Sequence, residues 1–305
     1  MPTALVLRAL GLSDLLVTVP ALRALKQGLP RHRLAMATSP QLEQLAMLTG
    51  AVDRVIPCEG RLGLPAPGAL ELDMPVDVAV NFHGKGPQST DLLKSVRPRW
   101  IITYASAGVP GPTWDPNEHE VDRWLRLVES GTGVEGDPRD LRLDVPVRAP
   151  GAAVVHPGTF DPARRWPPDR FAEVTMALER RGIPVVITGT APERRLAERV
   201  AARARLPRSR VLAGTTSVES LLSVVARAPV VVSGDTGLMH VAIALGRPSV
   251  HVFGPTNPAT WGPRFGPHVT LRAPDGSLPQ LPSSCVIEAI DLLLGRRNAR
   301  TELAG

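Results

Sequence analysis

The sequence predicts an α/β protein with two Rossmann-like domains, each a doubly wound parallel sheet, that face a central cleft. Short β-branched or apolar runs alternate with amphipathic helical segments along nearly the whole chain. Strands that are joined through helices form parallel sheets. The chain has 305 residues, and domains of about 150 residues are large enough to bury their own cores.

The pattern assigns each element in order. In the first half, strands are predicted near Leu5–Arg8, Leu34–Ala37, Asp53–Ile56, Val76–Asn81 and Trp100–Tyr104, and helices near Asp14–Gln27, Gln41–Leu48, Gln88–Ser95 and Glu118–Ser130. In the second half, strands are predicted near Ala152–Val155, Ile183–Thr188, Val211–Leu212, Val230–Val232 and Ser249–Val252, and helices near Asp169–Arg181, Pro192–Arg203, Val218–Arg227 and Leu238–Leu245. No strand is predicted in the Pro- and Gly-rich stretch from Pro263 to Pro282.

The domain boundaries follow from the prolines between these two series. The segment Leu143–Pro150 is the predicted linker, so the first domain is expected at 1–146 and the second at 151–282. A final helix near Cys285–Leu294 begins a C-terminal helix and tail, 283–305, that we expect to pack back on the first domain.

The charge and composition argue against nucleic acid as a partner. The net charge is +6 and the calculated pI is about 10.2. The basic residues are scattered among acids, without a Lys/Arg tract or an aromatic stacking motif, so no dedicated nucleic-acid binding is expected. A basic face remains suited to an anionic membrane surface or an anionic substrate.

The chain is expected to be cytoplasmic. Arg8 and Asp14 interrupt the apolar N-terminal run and no basic segment precedes it, so no signal peptide is predicted. No uninterrupted apolar run reaches the length of about 18 residues that a membrane span needs. The cysteines, Cys58 and Cys285, cannot form a disulfide framework, which fits a reducing compartment.

A loop after one apolar strand has the pattern of a phosphate site. Residues 233–237 read Ser-Gly-Asp-Thr-Gly and lead directly into a predicted helix. Free N–H groups at a helix start, together with the helix dipole, attract phosphate, and Thr236 adds a hydroxyl beside the flexible Gly237. An ordinary turn capped by Asp235 gives the same pattern. His240, one turn into the helix, either contacts a diphosphate or packs there.

Two further loops follow strands of the same domain. The Gly-Thr turn at Thr159, followed by Arg164 and Arg165, offers hydroxyl and guanidinium donors to a phosphate. A surface loop with solvated arginines, anchored by Trp166, is the alternative. Glu193, after the next strand, either accepts hydrogen bonds from ribose hydroxyls or favours the start of a helix. Ligands of open α/β sheets bind beyond the carboxyl ends of the strands, so the loops are expected to act together.

The first domain offers a carboxylate in the equivalent place. Asp14 lies in the first helical turn after the opening strand, where it acts either as a general base or as a favourable charge at a helix N-terminus. The loop before it has only Gly11 of a GxGxxG motif, so dinucleotide binding is not predicted. His83 and Lys85, after another strand, are expected to face the cleft, although a lone histidine is often structural.

Four motifs together resemble a known family, glycosyltransferase family 9, the ADP-heptose:lipopolysaccharide heptosyltransferases. They are Arg8-Ala-Leu-Gly-Leu-Ser-Asp14-Leu-Leu with Pro20-Ala-Leu-Arg-Ala-Leu-Lys26, His156-Pro-Gly-Thr159 with Arg164-Arg-Trp166-Pro, Ser233-Gly-Asp-Thr-Gly-Leu-Met-His240, and Val252-Phe-Gly-Pro-Thr256. The resemblance implies a GT-B fold, with an acceptor-side first domain and a nucleotide-sugar second domain. It also implies an inverting reaction without a metal.

The resemblance also implies residue roles. Asp14 stands at the position of the proposed catalytic base, with Ser13 where the family usually has Gly. The donor-binding positions are Thr159, Arg164, Glu193, Asp235, Thr236, Gly237, Leu238 and His240. Lys is more usual in the family at the position of Arg164. Ser13, His83 and Lys85 are assigned to the acceptor side by their place in the first domain, since the resemblance gives no match in the loop that contains His83 and Lys85.

The resulting hypothesis is an inverting, metal-independent glycosyltransferase that uses a nucleotide-diphosphate sugar, with ADP-linked heptose as the first candidate. No HExxH, DxD or nucleophile-elbow motif points to a metal site or to acyl transfer. The donor is a co-substrate, and no other cofactor is expected. The acceptor is a saccharide, a lipid-linked glycan or a small molecule, reached at the inner face of the plasma membrane. A nucleotide-sugar epimerase of GT-B-like architecture and a non-catalytic nucleotide-sugar-binding regulator are the alternatives.

Overall fold

The computed structural model describes residues 1–59, 64, 70, 72–106, 108–147 and 149–295. The chain divides into two compact units, Met1–Leu143 and Asp144–Gly305, and each contains a five-stranded sheet. Every strand pair in both sheets is parallel, as the alternating pattern predicts. The predicted class of two parallel-sheet α/β domains is therefore confirmed.

The first unit is built on a sheet in the order β3-β2-β1-β4-β5. Its strands are β1 Thr3–Leu7, β2 Arg33–Thr38, β3 Arg54–Pro57, β4 Val76–Asn81 and β5 Trp100–Ile102. Its helices are α1 Leu12–Leu16, α2 Val19–Gly28, α3 Glu43–Leu48, α4 Gln88–Ser95 and α5 Glu120–Thr132. The central strand β1 is buried at every position because it is paired on both sides and covered by helices.

One long predicted helix, Asp14–Gln27, is two helices in the structure. The regular helical hydrogen-bond pattern breaks between α1 and α2, where the Thr18 N–H and hydroxyl both donate to the Leu15 carbonyl, at 3.0 and 2.6 Å. The backbone dihedral angles of Val17 and Thr18 stay in the right-handed helical region. Pro20 explains the break, because proline lacks the N–H that continues a helix and its ring crowds the preceding turn. It is tolerated at the second position of α2, where no internal hydrogen bond is lost.

The second unit has a sheet in the order β10-β9-β8-β6-β7. Its strands are β6 Ala153–His156, β7 Val185–Ile187, β8 Val231–Gly234, β9 Ser249–Phe253 and β10 His268–Arg272. Its helices are α6 Pro168–Arg180, α7 Arg194–Arg203, α8 Val218–Ala226, α9 Gly237–Ala244, α10 Pro258–Trp261 and α11 Ser283–Leu293. Strands β6 and β8 occupy the buried middle of this sheet.

Two predictions for this sheet are wrong. Strand β10 lies inside the Pro- and Gly-rich stretch in which no strand was predicted, and Val211–Leu212 forms only an isolated bridge to Ile187 instead of a strand. The edge strand β10 is only partly buried, so it lacks the continuous apolar run that marks a central parallel strand.

The last helix belongs to the second unit. Helix α11 packs on α6, β9 and β10, and its Val286 and Ile290 side chains lie in the core of that unit. Arg181 binds both oxygens of Asp291, with Nε–Oδ1 and Nη2–Oδ2 distances of 2.9 and 2.6 Å. The expectation that the C-terminal helix and tail pack back on the first domain stays a prediction. The tail from residue 296 lies outside the described residues.

In each sheet, successive strands of the chain are first added on one side and then on the other, and this reversal occurs at one internal point. In the first unit this switch lies between β1 and β4, and in the second between β6 and β8. At such a point the connections from the two neighbouring strands leave toward opposite faces, so a crevice opens beyond their carboxyl ends, where open α/β sheets bind ligands. The loops that follow β1, β4, β6 and β8 are therefore the places to look for function.

Candidate functional site

The loop after β1 brings a carboxylate to the switch point of the first unit. Asp14 lies in the first turn of α1, and its Oδ2 accepts a hydrogen bond from the Gly11 N–H at 3.2 Å. About a quarter of the side chain, 26%, remains exposed. Asp14 thus caps its own helix and also remains open to a substrate, so the two interpretations of this residue are compatible.

Arg8 is a residue to which the sequence analysis gave no role. It is 2% exposed at the carboxyl end of β1, and its Nε donates to the Asp14 carbonyl at 2.9 Å. Its Nη2 lies 3.3 Å from Asp14 Oδ1, and its Nη1 donates to the Phe82 carbonyl. A charged residue directly after an apolar strand is the sequence signal that could have revealed it, because such a charge is buried only when it is paired.

The Arg8 guanidinium rests on a buried polar cluster. It lies 4.6 Å from the centroid of the Trp124 ring. Trp124 donates from its ring nitrogen to Glu120 Oε2 at 3.2 Å, and Glu120 also pairs with Arg123. Burial lowers the pKa of Arg8, while the carboxylates of Asp14 and Glu120 act in the opposite sense. Burial raises the pKa of Glu120, which Arg123 and Arg8 oppose.

The loop after β4 supplies the other side of this switch point. His83 Nδ1 accepts a hydrogen bond from the Ala9 N–H at 3.3 Å, which joins the loop to the one after β1. Asn81 Oδ1 accepts from the His83 N–H at 3.1 Å and fixes the turn. Ser13 is partly exposed next to Asp14 in α1, whereas Lys85 is exposed farther along the loop. The structure therefore places Ser13 next to Asp14 and joins His83 to the loop after β1, and ligand roles of Ser13, His83 and Lys85 stay predictions.

Arg164 connects the two predicted phosphate loops of the second unit. Its Nη2 donates to the Asp235 carbonyl at 2.8 Å and pairs with the Asp235 carboxylate. Asp235 is 8% exposed and the Arg164 side chain is 31% exposed, so this is a partly buried ion pair rather than a solvated arginine. The loops after β6 and β8 are thus held together at the switch point between these strands.

Three polar atoms of these two loops are buried and have no hydrogen-bond partner within the described part of the chain. They are Nε of Arg164, Nε of Arg165 and Oγ1 of Thr236. Thr236 stands at the N-cap of α9 but makes no side-chain cap bond. Buried donors are rarely left unpaired in proteins, and those of Arg164 and Thr236 lie at the start of a helix whose first N–H groups also seek an acceptor. An anionic ligand with several oxygen acceptors fits this arrangement.

Arg164, Asp235 and Thr236 form the candidate anion site, here named the donor cradle, and residues of the loop after β6 and of α9 lie beside it. Thr159 is buried, and its carbonyl accepts a hydrogen bond from Arg165 Nη2 at 3.2 Å. Leu238 and His240 are also buried in α9, and the His240 ring packs edge-on against Trp261 at a centroid distance of 5.8 Å. Packing of His240 is thus observed, and its contact with a ligand stays a prediction.

Glu193 lies against the turn after β6. Its Oε2 accepts from the Thr190 N–H at 2.7 Å and from the Thr190 hydroxyl at 2.8 Å. A Cβ added at Gly158 would collide with the Glu193 carboxyl group, so only glycine allows this approach. Burial lowers the pKa of the neighbouring His156, while Glu193 acts in the opposite sense. The structure therefore places Glu193 beside Thr159, on the side of the cradle away from α9.

Neither a metal-ligand cluster nor a membrane-spanning helix occurs among residues 1–59, 64, 70, 72–106, 108–147 and 149–295. No group of three or more His, Cys, Asp or Glu side chains in these ranges could hold a metal ion. No helix in them is both long and apolar enough to cross a bilayer.

Comparisons with known proteins show that this chain is similar to heptosyltransferases. The family model for "Glycosyltransferase family 9 (heptosyltransferase)" matches residues 113–290. Lipopolysaccharide heptosyltransferase 1 of Escherichia coli K12 is 27% identical over 327 aligned positions, which cover 95% of this chain and 99% of that protein. Lipopolysaccharide heptosyltransferase 2 of Salmonella typhimurium is 38% identical over 102 positions, which cover 32% of this chain and 29% of that protein.

Solved structures agree with the fold. The structure of E. coli ADP-heptose lipopolysaccharide heptosyltransferase II gives a TM-score of 0.82 at 22% identity and covers 96% of this chain and 99% of its own. E. coli heptosyltransferase WaaC with ADP gives a TM-score of 0.77 at 26% identity, with 95% and 99% covered. Both similarities confirm the predicted fold class.

Proposed function

The chain belongs to glycosyltransferase family 9 (heptosyltransferase) and is a glycosyltransferase, and we propose that it transfers heptose from ADP-heptose to a hydroxyl of a lipopolysaccharide-type acceptor. The observation that carries this proposal is the Arg164–Asp235 pair beside the unpartnered Thr236 hydroxyl at the start of α9. ADP as the nucleotide is supported by the 26% identical heptosyltransferase solved with ADP.

In the donor half of the proposed reaction, the second unit binds the diphosphate. Arg164, the hydroxyls of Thr159 and Thr236, and the first N–H groups of α9 donate hydrogen bonds to its oxygens. Glu193 accepts hydrogen bonds from the ribose hydroxyls. Asp235 holds Arg164 in place before the ligand arrives, so Arg164 can stabilise the negative charge that grows on the leaving diphosphate without the help of a metal ion.

In the acceptor half, the Asp14 carboxylate removes the proton from the attacking hydroxyl. The acceptor oxygen forms a new bond to the anomeric carbon while the bond from that carbon to the diphosphate oxygen breaks. The electron pair leaves with ADP, and the proton stays on Asp14. Attack from the side opposite the leaving group inverts the anomeric configuration. The acceptor is proposed to be lipid-linked and reached at the inner membrane surface.

Calorimetric titration of the protein with ADP, GDP, UDP and dTDP, each with and without EDTA, tests the donor site. We expect selective, EDTA-insensitive binding of ADP, weakened at least about tenfold in Arg164→Ala, because a charge-assisted hydrogen bond contributes about 1.5–3 kcal/mol. Arg170→Ala, which removes a largely exposed partner of Glu173 on α6, is the matched control. Failure of all four nucleotides to bind would refute the donor assignment.

The acceptor half is tested separately by ADP release from ADP-heptose with heptose-deficient lipopolysaccharide. Asp14→Asn is expected to lower kcat about 10²–10⁴-fold, the usual contribution of a general base, with ADP binding unchanged. Asp91→Asn on α4, an exposed carboxylate paired with Lys94, serves as the control. Unchanged turnover in Asp14→Asn would rule out the general-base role and would favour a regulator that only binds the nucleotide sugar.

A further inference from the structure

Arg8 is bound to Asp14 through two different atoms of that residue. Its Nε donates to the backbone carbonyl at 2.9 Å, and its Nη2 reaches the carboxylate oxygen Oδ1 at 3.3 Å. The contact with the backbone sets the position of the helical turn, and the contact with the side chain sets the rotation of the carboxylate. A planar guanidinium can do both at once because its N–H groups have fixed directions.

Arg8 itself is held rigidly. Its remaining nitrogen donates to the Phe82 carbonyl, and its plane lies 4.6 Å from the Trp124 ring centroid. The side chain is 2% exposed, so no solvent competes for its donors. The contact with Phe82 also ties it to the end of β4, directly before His83. Arg8 thus links the two loops that meet at the switch point of the first sheet.

The other oxygen of Asp14 is fixed by the backbone. Oδ2 accepts from the Gly11 N–H at 3.2 Å, so both carboxylate oxygens have a partner from this chain. Each ionised carboxylate oxygen can accept about two hydrogen bonds, which leaves acceptor capacity on the part of the side chain that is exposed. The exposed direction is therefore determined by Arg8 and Gly11 rather than by a free side-chain rotation.

We propose that Arg8 is a positioning residue that orients the Asp14 carboxylate toward the acceptor hydroxyl. This inference rests on the proposed role of Asp14 as general base. Arg8 touches neither the acceptor nor the donor and acts through Asp14 alone. A proton transfer requires a short, aligned contact with the hydroxyl, and a displacement of the base by about 1 Å can cost about 10²-fold in rate.

The test uses the full chain with ADP-heptose and heptose-deficient lipopolysaccharide, with ADP release as the measured rate. Arg8→Lys keeps the positive charge but cannot bind the Asp14 carbonyl and carboxylate at the same time. We expect kcat to fall at least about tenfold, while KM for ADP-heptose and the calorimetric Kd for ADP stay within about twofold of the wild-type values. Arg8→Met is expected to lower kcat further. Arg23→Met is the matched control. Arg23 also donates hydrogen bonds to several backbone carbonyls, those of Thr49, Asp140 and Arg142, but none of them belongs to Asp14.

A double-mutant cycle separates positioning from general stabilisation. If Arg8 acts through Asp14, Arg8→Met/Asp14→Asn is no slower than Asp14→Asn alone. Equal loss from Arg8→Met in both backgrounds, or wild-type kcat in Arg8→Lys, would overturn the inference. If thermal melting shows that Arg8→Met does not fold, the kcat of Arg8→Lys alone tests the inference. Wild-type turnover in Asp14→Asn would instead overturn the general-base role itself, and with it this inference.

Discussion

At the scale of single residues, the two aspartates at the switch points share one arrangement. Asp14 is bound by Arg8 and Asp235 by Arg164, and each arginine contacts both the carboxylate and the backbone carbonyl of its aspartate. Both aspartates could be predicted from sequence because an acid near the start of a helix after an apolar strand is a local pattern. The pairing of Arg164 with Asp235 could not, because 71 residues separate them.

Gly158 provides a test of the donor cradle at this scale. Gly158→Ala would place a methyl group against the Glu193 carboxyl, so Glu193 must move or the turn before Thr159 must shift. We expect ADP binding to weaken at least about tenfold and unfolding free energy to fall by about 1–3 kcal/mol, the usual cost of overpacking. Titration calorimetry and urea unfolding measure the two effects.

Gly84→Ala is the control for that substitution, because nothing lies within 4 Å of a Cβ at Gly84 and its backbone is not left-handed. The control should bind ADP as the wild type does. Wild-type ADP affinity in Gly158→Ala would show that Glu193 and its turn lie outside the nucleotide site.

At the scale of elements, the predicted strands agree with the structure to within about two residues at each end, except in two places of the second sheet. The buried strand β4 has the predicted bounds Val76–Asn81, and the other central strands lie within about two residues of theirs. The edge strand β10 is not predicted, because it is only partly buried and lacks the continuous apolar run that marks a buried strand. The break before α2 could have been found from Pro20, the one residue in the predicted helix that cannot donate to the preceding turn.

The attachment of α11 combines apolar packing in the core of the second unit with an ion pair to the end of α6. Asp291, 6% exposed, is bound at both oxygens by Arg181 at the end of α6. Asp291→Ala leaves the Arg181 charge partly buried without its partner, and we expect it to lower the unfolding free energy by about 2–4 kcal/mol. Urea unfolding measures the change. Glu198→Ala, which removes an exposed pair with Arg194 on α7, should cost less than about 0.5 kcal/mol, and an equal cost for both variants would contradict the argument.

The histidines of β9 and β10, His251 fully buried and His268 partly buried, make stability depend on pH. The Ser249 hydroxyl contacts His251 Nε2 at 2.8 Å and His268 Nδ1 at 2.7 Å. Burial lowers the pKa of both rings, and that of His268 falls to about 4. The unfolded chain, with histidine pKa values near 6.5, therefore binds protons before the folded protein does. Stability is lost as pH falls from about 6.5 to about 4, by about 1.4 kcal/mol per pH unit for His268, and the lowered pKa of His251 acts in the same direction.

Urea unfolding at a series of pH values between 8 and about 4 tests whether the free energy of unfolding falls as pH falls. His268→Gln should flatten the slope in this window, since one of the two titrating rings is gone. A stability that does not change over the window, or that rises as pH falls, would contradict the assignment of both rings as neutral in the folded state.

At the scale of the whole molecule, the sequence predicts two parallel-sheet units, and the structure has them, with the division at Leu143. The strand orders were not predictable from periodicity, because a helical crossover allows a strand to join either side of the one before it. They carry the information about function, since they create the switch points. The first sheet has the Rossmann order up to its fifth strand, and the second has the flavodoxin-like order.

Every donor-binding residue assigned here lies in the second unit. We therefore expect a chain of residues 144–305, which contains its own buried core, to fold and to bind ADP within about tenfold of the affinity of the full chain. Circular dichroism and titration calorimetry measure folding and binding. A folded fragment without ADP affinity would show that the first unit contributes to the nucleotide site.

The pairing of Arg164 with Asp235 changes the electrostatic character of the donor cradle. The positive charge of Arg164, one of the two arginines that the sequence offers to a diphosphate, is already balanced by a buried carboxylate, and Glu193 adds another negative group beside the turn at Thr159. Attraction of the nucleotide from a distance is then weak, and recognition depends on short-range hydrogen bonds and the dipole of α9. ADP affinity should accordingly change by less than about threefold between 50 and 300 mM salt, far less than for proteins that bind phosphates through unpaired lysines and arginines.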